Sequence, residues 1–201
     1  MAENLIISVS GMRGVVGENL TPLVAAEYGC AFGTFLRSNL EIGSGPLTIC
    51  IGRDSRISGP MLTAAVTAGL CAVGIDVIDL GLVPTPSVGI MVRHLGCAGG
   101  VIVTASHNPI PYNGIKLLLG NGMAPPVATA NEIRRTHWDR HFHLVASERC
   151  GTIRYNSETE RVHVEKVLAI IEAERIAGRH YRVVLDSVNG AGIHKGNTFF
   201  G

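Results

Sequence analysis

Charge is scarce in this chain. Only 16% of its 201 residues are Asp, Glu, Lys or Arg, the formal net charge is +1, and the basic residues are scattered. Such a balance gives no field that draws in nucleic acid or an anionic membrane, and neither is an expected partner. With 46% hydrophobic residues, the low charge argues for a packed core and against disorder. Cysteine supplies no framework either. Cys30, Cys50, Cys71, Cys97 and Cys150 are odd in number, form no C-x-x-C pair and mostly have apolar neighbours. Buried, reduced thiols in a cytoplasmic protein are the expectation. No basic n-region leads into an apolar run at the N-terminus, so no signal peptide is expected. Residues 57–75 carry no charge, but Ser58, Gly59, Pro60, Thr63 and Thr67 interrupt them. A buried helix of a soluble protein explains that stretch better than a membrane span. Low-complexity segments and internal repeats are also missing.

What the chain does have is alternation of short apolar runs with helical stretches, the pattern of a layered α/β fold. Strands are expected at residues 5–9, 47–51, 76–80 and 101–104. A further one at 115–119 should pair with the last of these or a neighbour, ahead of the Asn121-Gly122 turn. Thr21 followed by Pro22 is an N-cap and first helical position, starting a helix that runs to about Asn39. Ser58 should cap a second helix ending near Gly74. Thr85 and Pro86 repeat the cap-then-proline signal for a third, closed by Gly96. Residues 131–140 form a weaker helical stretch, and Ser157 with Glu160 has capping-box spacing ahead of a helix to about Gly178. Residues 182–185 read as one more strand. The expected architecture is a layered α/β/α domain with a mixed, mostly parallel sheet over residues 1–150. An incomplete second α/β unit follows over 151–201. A helix, a strand and a glycine turn cannot bury their apolar faces alone, and the closing "IHKGNTFFG" adds no periodic element. A fragment or shortened gene product is therefore expected.

Chemistry concentrates in "GGVIVTASHNPIPYNGIK", residues 99–116. An apolar run ends abruptly in Ser106, His107, Asn108 and a proline, with Lys116 ten residues past the serine. A Ser–His hydrolase is one reading. It lacks a G-x-S-x-G elbow, and neighbours on extended backbone point to opposite sides, so His107 should be badly placed to deprotonate Ser106. A phosphoryl carrier is another. Phosphoryl transfer needs positioning and positive charge around the non-bridging oxygens, which His107 and Lys116 can supply while Asn108 donates hydrogen bonds. A polar turn that merely stops a strand is the third. Two more polar clusters bear on the choice. "SGMRGVVG" places Arg13 between glycines after the first expected strand, and "GRDSRISG" places Arg53, Asp54 and Arg56 after the second. Ligands in open α/β sheets bind outside the carboxyl ends of strands, and guanidinium forks match phosphate oxygens.

The stretches "SVSGMRGVVGENLTP", "IGRDSRISGPML", "VPTPSVG" and "GGVIVTASHNPIPYNGIKLL", in that order, resemble the α-D-phosphohexomutase family of phosphoglucomutases, phosphomannomutases and phosphoglucosamine mutases. "YRVVLDSVNGAG" looks like the opening of that family's second domain. The resemblance implies an isomerase acting as an intramolecular phosphotransferase in carbohydrate metabolism. Phosphate on Ser106 would pass to a hexose phosphate, giving a bisphosphate that reorients and returns its other phosphate, so that phosphate moves between C1 and C6. By the same likeness, Arg13 and Lys116 would help proton transfer at the sugar oxygen. His107 and Asn108 would contact phosphate or substrate, and Arg53 would bind phosphate or, more directly, brace the serine loop.

The family also implies Mg2+, a hexose 1,6-bisphosphate activator and a D-G-D-x-D-R loop that supplies three aspartates to the metal. Here the aspartates are Asp54, Asp76, Asp79, Asp139 and Asp186, with no D-x-D among them. Ser106, through its phosphate, would give one magnesium ligand of about six. The histidines fit no metal constellation; His137, His141 and His143 read as a solvated helix face. The expectation is therefore the phosphoserine half of a mutase site, needing C-terminal domains outside this sequence for activity. The alternative is a non-catalytic product that binds a sugar phosphate or a protein partner.

Overall fold

A computed structural model describes residues 5–39 and 47–192; the closing segment 193–201, with His194, lies outside the described residues. The chain forms a seven-stranded sheet in the order β1-β2-β6-β5-β3-β4-β7. Its strands are β1 (Ile6–Ser8), β2 (Gly11–Val15), β3 (Thr48–Arg53), β4 (Asp76–Leu82), β5 (Gly99–Val103), β6 (Tyr112–Leu119) and β7 (Ile153–Tyr155). The run β5-β3-β4-β7 is parallel, while β1, β2, β6 and β5 join through antiparallel pairs. Five strands, β2, β5, β3, β4 and β7, consequently point one way, which is the mixed, mostly parallel sheet that the alternation predicts.

Side chains on a strand alternate between faces, and here each face has its own core. Ile49, Ile51, Val101, Val103, Ile115 and Leu117 pack on one side, against α1 (Pro22–Asn39), α2 (Gly59–Ala72) and Ile133 of α4 (Val127–Asp139). Cys50 and Ile102, their neighbours in sequence, face the other side. There they meet Val88, Met91 and Val92 of α3 (Thr85–His94) and Val162 of α5 (Thr159–Leu168). The uncharged stretch became α2, lying so close to α1 that a Cβ on Gly69 would stand 2.1 Å from the Ala26 carbonyl oxygen. Among the described residues, no helix is long and apolar enough to cross a membrane.

Local signals set α1 as expected: Thr21 Oγ1 accepts the Val24 N–H at 3.3 Å. Ser58 departs from expectation. It takes helical angles and makes no cap bond, because its hydroxyl accepts from the amide of fully buried Asn113 at 2.8 Å. Thr85 is the first residue of α3 and Pro84 takes the cap position. β2 was not expected at all: Arg13 lies inside a strand, not on a turn after one.

Past residue 150 the chain stays on the same sheet for a while. β7 pairs with β4, and Asp76 accepts both the N–H and the hydroxyl of Thr152, at 2.7 and 2.8 Å. α5 packs on α3, where Ser87 Oγ and His163 Nδ1 lie 2.7 Å apart. The long helix expected to reach Gly178 is divided into α5 and α6 (Ala173–Ala177), and Asn156 rather than Ser157 accepts the Glu158 N–H. Residues 182–185 are exposed and form no strand, having no neighbouring strand to pair with among the described residues.

Candidate active site

Sheet register gathers the polar residues. Arg13 of β2 stands opposite Gly114 of β6, and the Thr104 N–H just past β5 donates to the Gly114 carbonyl at 2.9 Å. Met12 and Ile115, also paired, point into the first core. Their sequence neighbours Arg13 and Lys116 therefore emerge together on the opposite face. This close pairing requires Gly11: at φ 114°, a Cβ there would stand 2.2 Å from the Ile115 carbonyl oxygen. A hollow of about 220 Å³ opens at this place, with Ser106, His107, Asn108, Arg13 and Lys116 in its lining. A neighbouring hollow of about 560 Å³ shares Arg13 and Asn108 and adds Tyr112.

Ser106 is exposed and holds φ 56°. That left-handed conformation costs a residue with a Cβ about 1–2 kcal/mol, so neighbours must hold it. One support is Thr104, whose hydroxyl accepts the Ser106 N–H at 3.0 Å and donates to Asp54 Oδ2 at 2.7 Å. Another is the Asn108 N–H, bonded to the Ala105 carbonyl at 3.1 Å. Asn108 also spends a side-chain N–H on that carbonyl, at 2.8 Å.

The third support is Arg56. Its Nη1 donates to the carbonyls of Pro109 and Tyr112 at 2.9 and 3.0 Å. Its Nη2 donates to those of Ser106 and Asn108 at 3.1 and 2.6 Å, and Nε meets Asp54 Oδ2 at 3.2 Å. The brace expected of Arg53 is thus made by Arg56. Arg53 is the last residue of β3 and lies along Gly59, so that an added Cβ there would stand 3.3 Å from Arg53 Cδ. The Asp54–Arg56 turn then carries Arg56 across to the serine loop.

The expected splaying of Ser106 and His107 is also corrected. Left-handed backbone, not extended backbone, brings Ser106 Oγ and His107 Nδ1 to 3.4 Å, a long contact. Sequence reasoning brought together Ser106, His107, Asn108, Lys116 and Arg13, which do line one hollow. It placed Asp54 in the second polar cluster without a role and did not single out Thr104, Ser8 or Ser10; the last two line the hollow as well, their hydroxyls 2.9 Å apart. The D-S-R spacing was the available signal for the Asp54–Arg56 pair.

The arrangement offers a nucleophilic or phosphate-bearing oxygen among cations. A complete magnesium shell does not fit: no group of three or more His, Cys, Asp or Glu among the described residues is placed to hold a metal ion. The nearby carboxylate, Asp54, is committed to Thr104 and Arg56. His137 is buried, not on a solvated face, its ring edge-on to Tyr28 with centroids 5.7 Å apart. His141 and His143 are exposed.

Residues 5–143 match the family model described as phosphoglucomutase/phosphomannomutase, alpha/beta/alpha domain I. The chain is 38% identical over 182 residues to a phosphoglucomutase/phosphomannomutase of Thermococcus kodakarensis, covering 90% of this chain and 39% of that protein. It is 36% identical over 196 residues to a phosphoglucosamine/phosphogalactosamine mutase of Sulfurisphaera tokodaii, covering 93% of this chain and 40% of that protein. A crystal structure of a putative phosphomannomutase from Thermus thermophilus superposes with a TM-score of 0.82 at 27% identity, over 99% of this chain and 43% of that one. The chain spans about two fifths of the length of the curated relatives it matches.

Proposed function

This chain belongs to the phosphoglucomutase/phosphomannomutase family, and from that premise we propose that it is the phosphoserine-bearing part of a hexose-phosphate mutase. The observation that carries the reading is Ser106. Its hydroxyl is exposed on a held left-handed turn, at a hollow into which Arg13 and Lys116 also face.

In this proposal Ser106 Oγ takes a phosphoryl group from a hexose 1,6-bisphosphate. The Oγ–P bond forms as the P–O bond to the sugar breaks, and the sugar oxygen takes up a proton. The reverse transfer, to the other hydroxyl after reorientation, moves phosphate between C1 and C6. A serine phosphate carries close to two negative charges and must tolerate a second phosphate nearby. Arg13 and Lys116 provide compensating charge. The Lys116 ammonium donates the proton to the departing sugar oxygen and regains one from the Ser106 hydroxyl, while the Arg13 guanidinium orients that oxygen. His107 donates to the phosphate, as does the N–H of the Asn108 amide that the loop does not use.

Magnesium remains part of the proposal only as a group whose other ligands come from residues outside this sequence. The sugar-selecting residues are proposed to lie there too, so glucose, mannose and glucosamine phosphates stay equally open. The division at 150/151 into a first domain and the start of a second belongs to the same proposal, with β7 and α5 as the connection. So does a cytoplasmic setting, which the free cysteines Cys30, Cys50, Cys71, Cys97 and Cys150 suit.

Conversion of glucose 1-phosphate, with magnesium and a bisphosphate activator, tests the reading of an incomplete site. Little or no net conversion is expected from the 201-residue chain, because reorientation and return of the sugar need the residues outside it, while the first transfer to Ser106 is still expected. Turnover within a few-fold of a full-length mutase contradicts it.

A further inference from the structure

We infer that Arg56, anchored by Asp54, is a positioning residue that sets the conformation of Ser106 and turns the loop's carbonyl oxygens away from the phosphoryl group; this rests on the phosphoserine reading above. A guanidinium has five N–H donors in a fixed fork. All five of Arg56 have an acceptor: Asp54 and the carbonyls of Ser106, Asn108, Pro109 and Tyr112. None remains for a sugar or a phosphate, and the side chain is only 16% exposed. Arg56 therefore differs in kind from Arg13, which is exposed at the hollow.

Two consequences follow from the geometry. Four carbonyl dipoles converge on one cation, so their negative ends are neutralised behind the loop and do not oppose an incoming dianion. The same bonds fix the backbone on both sides of Ser106, because its own carbonyl is held by Arg56 while its N–H is held by Thr104, itself bonded to Asp54. Lysine cannot substitute. An ammonium keeps the charge but lacks the planar fork that reaches four carbonyls at once.

Arg56→Lys and Arg56→Gln, made in the whole chain, test this with two readouts. Amide hydrogen exchange at Ser106 and Asn108 should accelerate at least about tenfold in both variants, while amides of β3 and β5 keep wild-type rates. The maximal rate of Ser106 phosphorylation by glucose 1,6-bisphosphate should fall about 100-fold, with the half-saturating concentration changed no more than a few-fold. Unchanged exchange at Ser106 overturns the inference, and so does a loosened loop that phosphorylates at the wild-type rate. Strand amides that accelerate equally would make Arg56 a general prop of the fold, which also overturns it. A wild-type chain that takes no phosphate sinks the phosphoserine reading alone; the exchange rates then decide by themselves whether Arg56 sets the loop.

Discussion

The Thr104 hydroxyl donates to Asp54 Oδ2 at 2.7 Å, tying the end of β5 to the turn after β3. The same oxygen accepts the Ser106 N–H, so one hydroxyl connects the carboxylate that anchors Arg56 with the backbone of the serine. Two sequence-distant turns thereby behave as one unit.

Thr104→Val keeps the shape and removes both bonds. Thr104 is 6% exposed and both of its bonds are part-buried, so the Ser106 N–H loses its partner while partly exposed Asp54 regains water. A loss of about 1–2 kcal/mol is expected. Urea unfolding of Thr104→Val beside Thr104→Ser measures it; the serine variant should stay near wild type.

Gly11→Ala should be costlier than its size suggests. The added Cβ would meet the Ile115 carbonyl oxygen at 2.2 Å and Lys116 Cα at 2.9 Å, at a φ of 114° that L-residues rarely adopt. Relief requires β2 and β6 to part, which also moves Arg13 relative to Lys116. About 2–3 kcal/mol of destabilisation is expected, read as a lower Tm in thermal unfolding.

Protonation of His137 should make the protein acid-sensitive. Burial lowers its pKa below the ordinary 6.5, so the unfolded chain takes up the proton first as pH falls. Stability is then full above about pH 6.5 and declines as pH drops toward the lowered native value, where the decline ends. His137→Phe, which can keep the edge contact with Tyr28, should flatten the pH dependence of denaturant stability between about pH 7 and 5. An unaltered slope would remove His137 from the account.

The parts of this molecule legible in its sequence are those determined within a few residues. Thr21-Pro22 starts α1 because a cap bond spans three residues, and the unbroken apolar runs at 49–51 and 101–103 mark strands buried on both faces. Ser106, His107, Asn108 and Lys116 come from one contiguous motif and line one hollow. β2 was not legible, since "GMRGV" has too few apolar residues to read as a strand and acquires its role by pairing with β6. Ser58 failed as a cap because Asn113, far off in sequence, claims its hydroxyl. Arg53 and Arg56 share one short motif, and only the direction of the chain after β3 decides which of them reaches the serine loop.

Intact-mass spectrometry of the chain after incubation with glucose 1,6-bisphosphate addresses the stored phosphate most directly. The account predicts a gain of one phosphate on the wild-type chain, mapped to Ser106, and none on Ser106→Ala. An unmodified wild-type chain, or a phosphate that persists in Ser106→Ala, would contradict it.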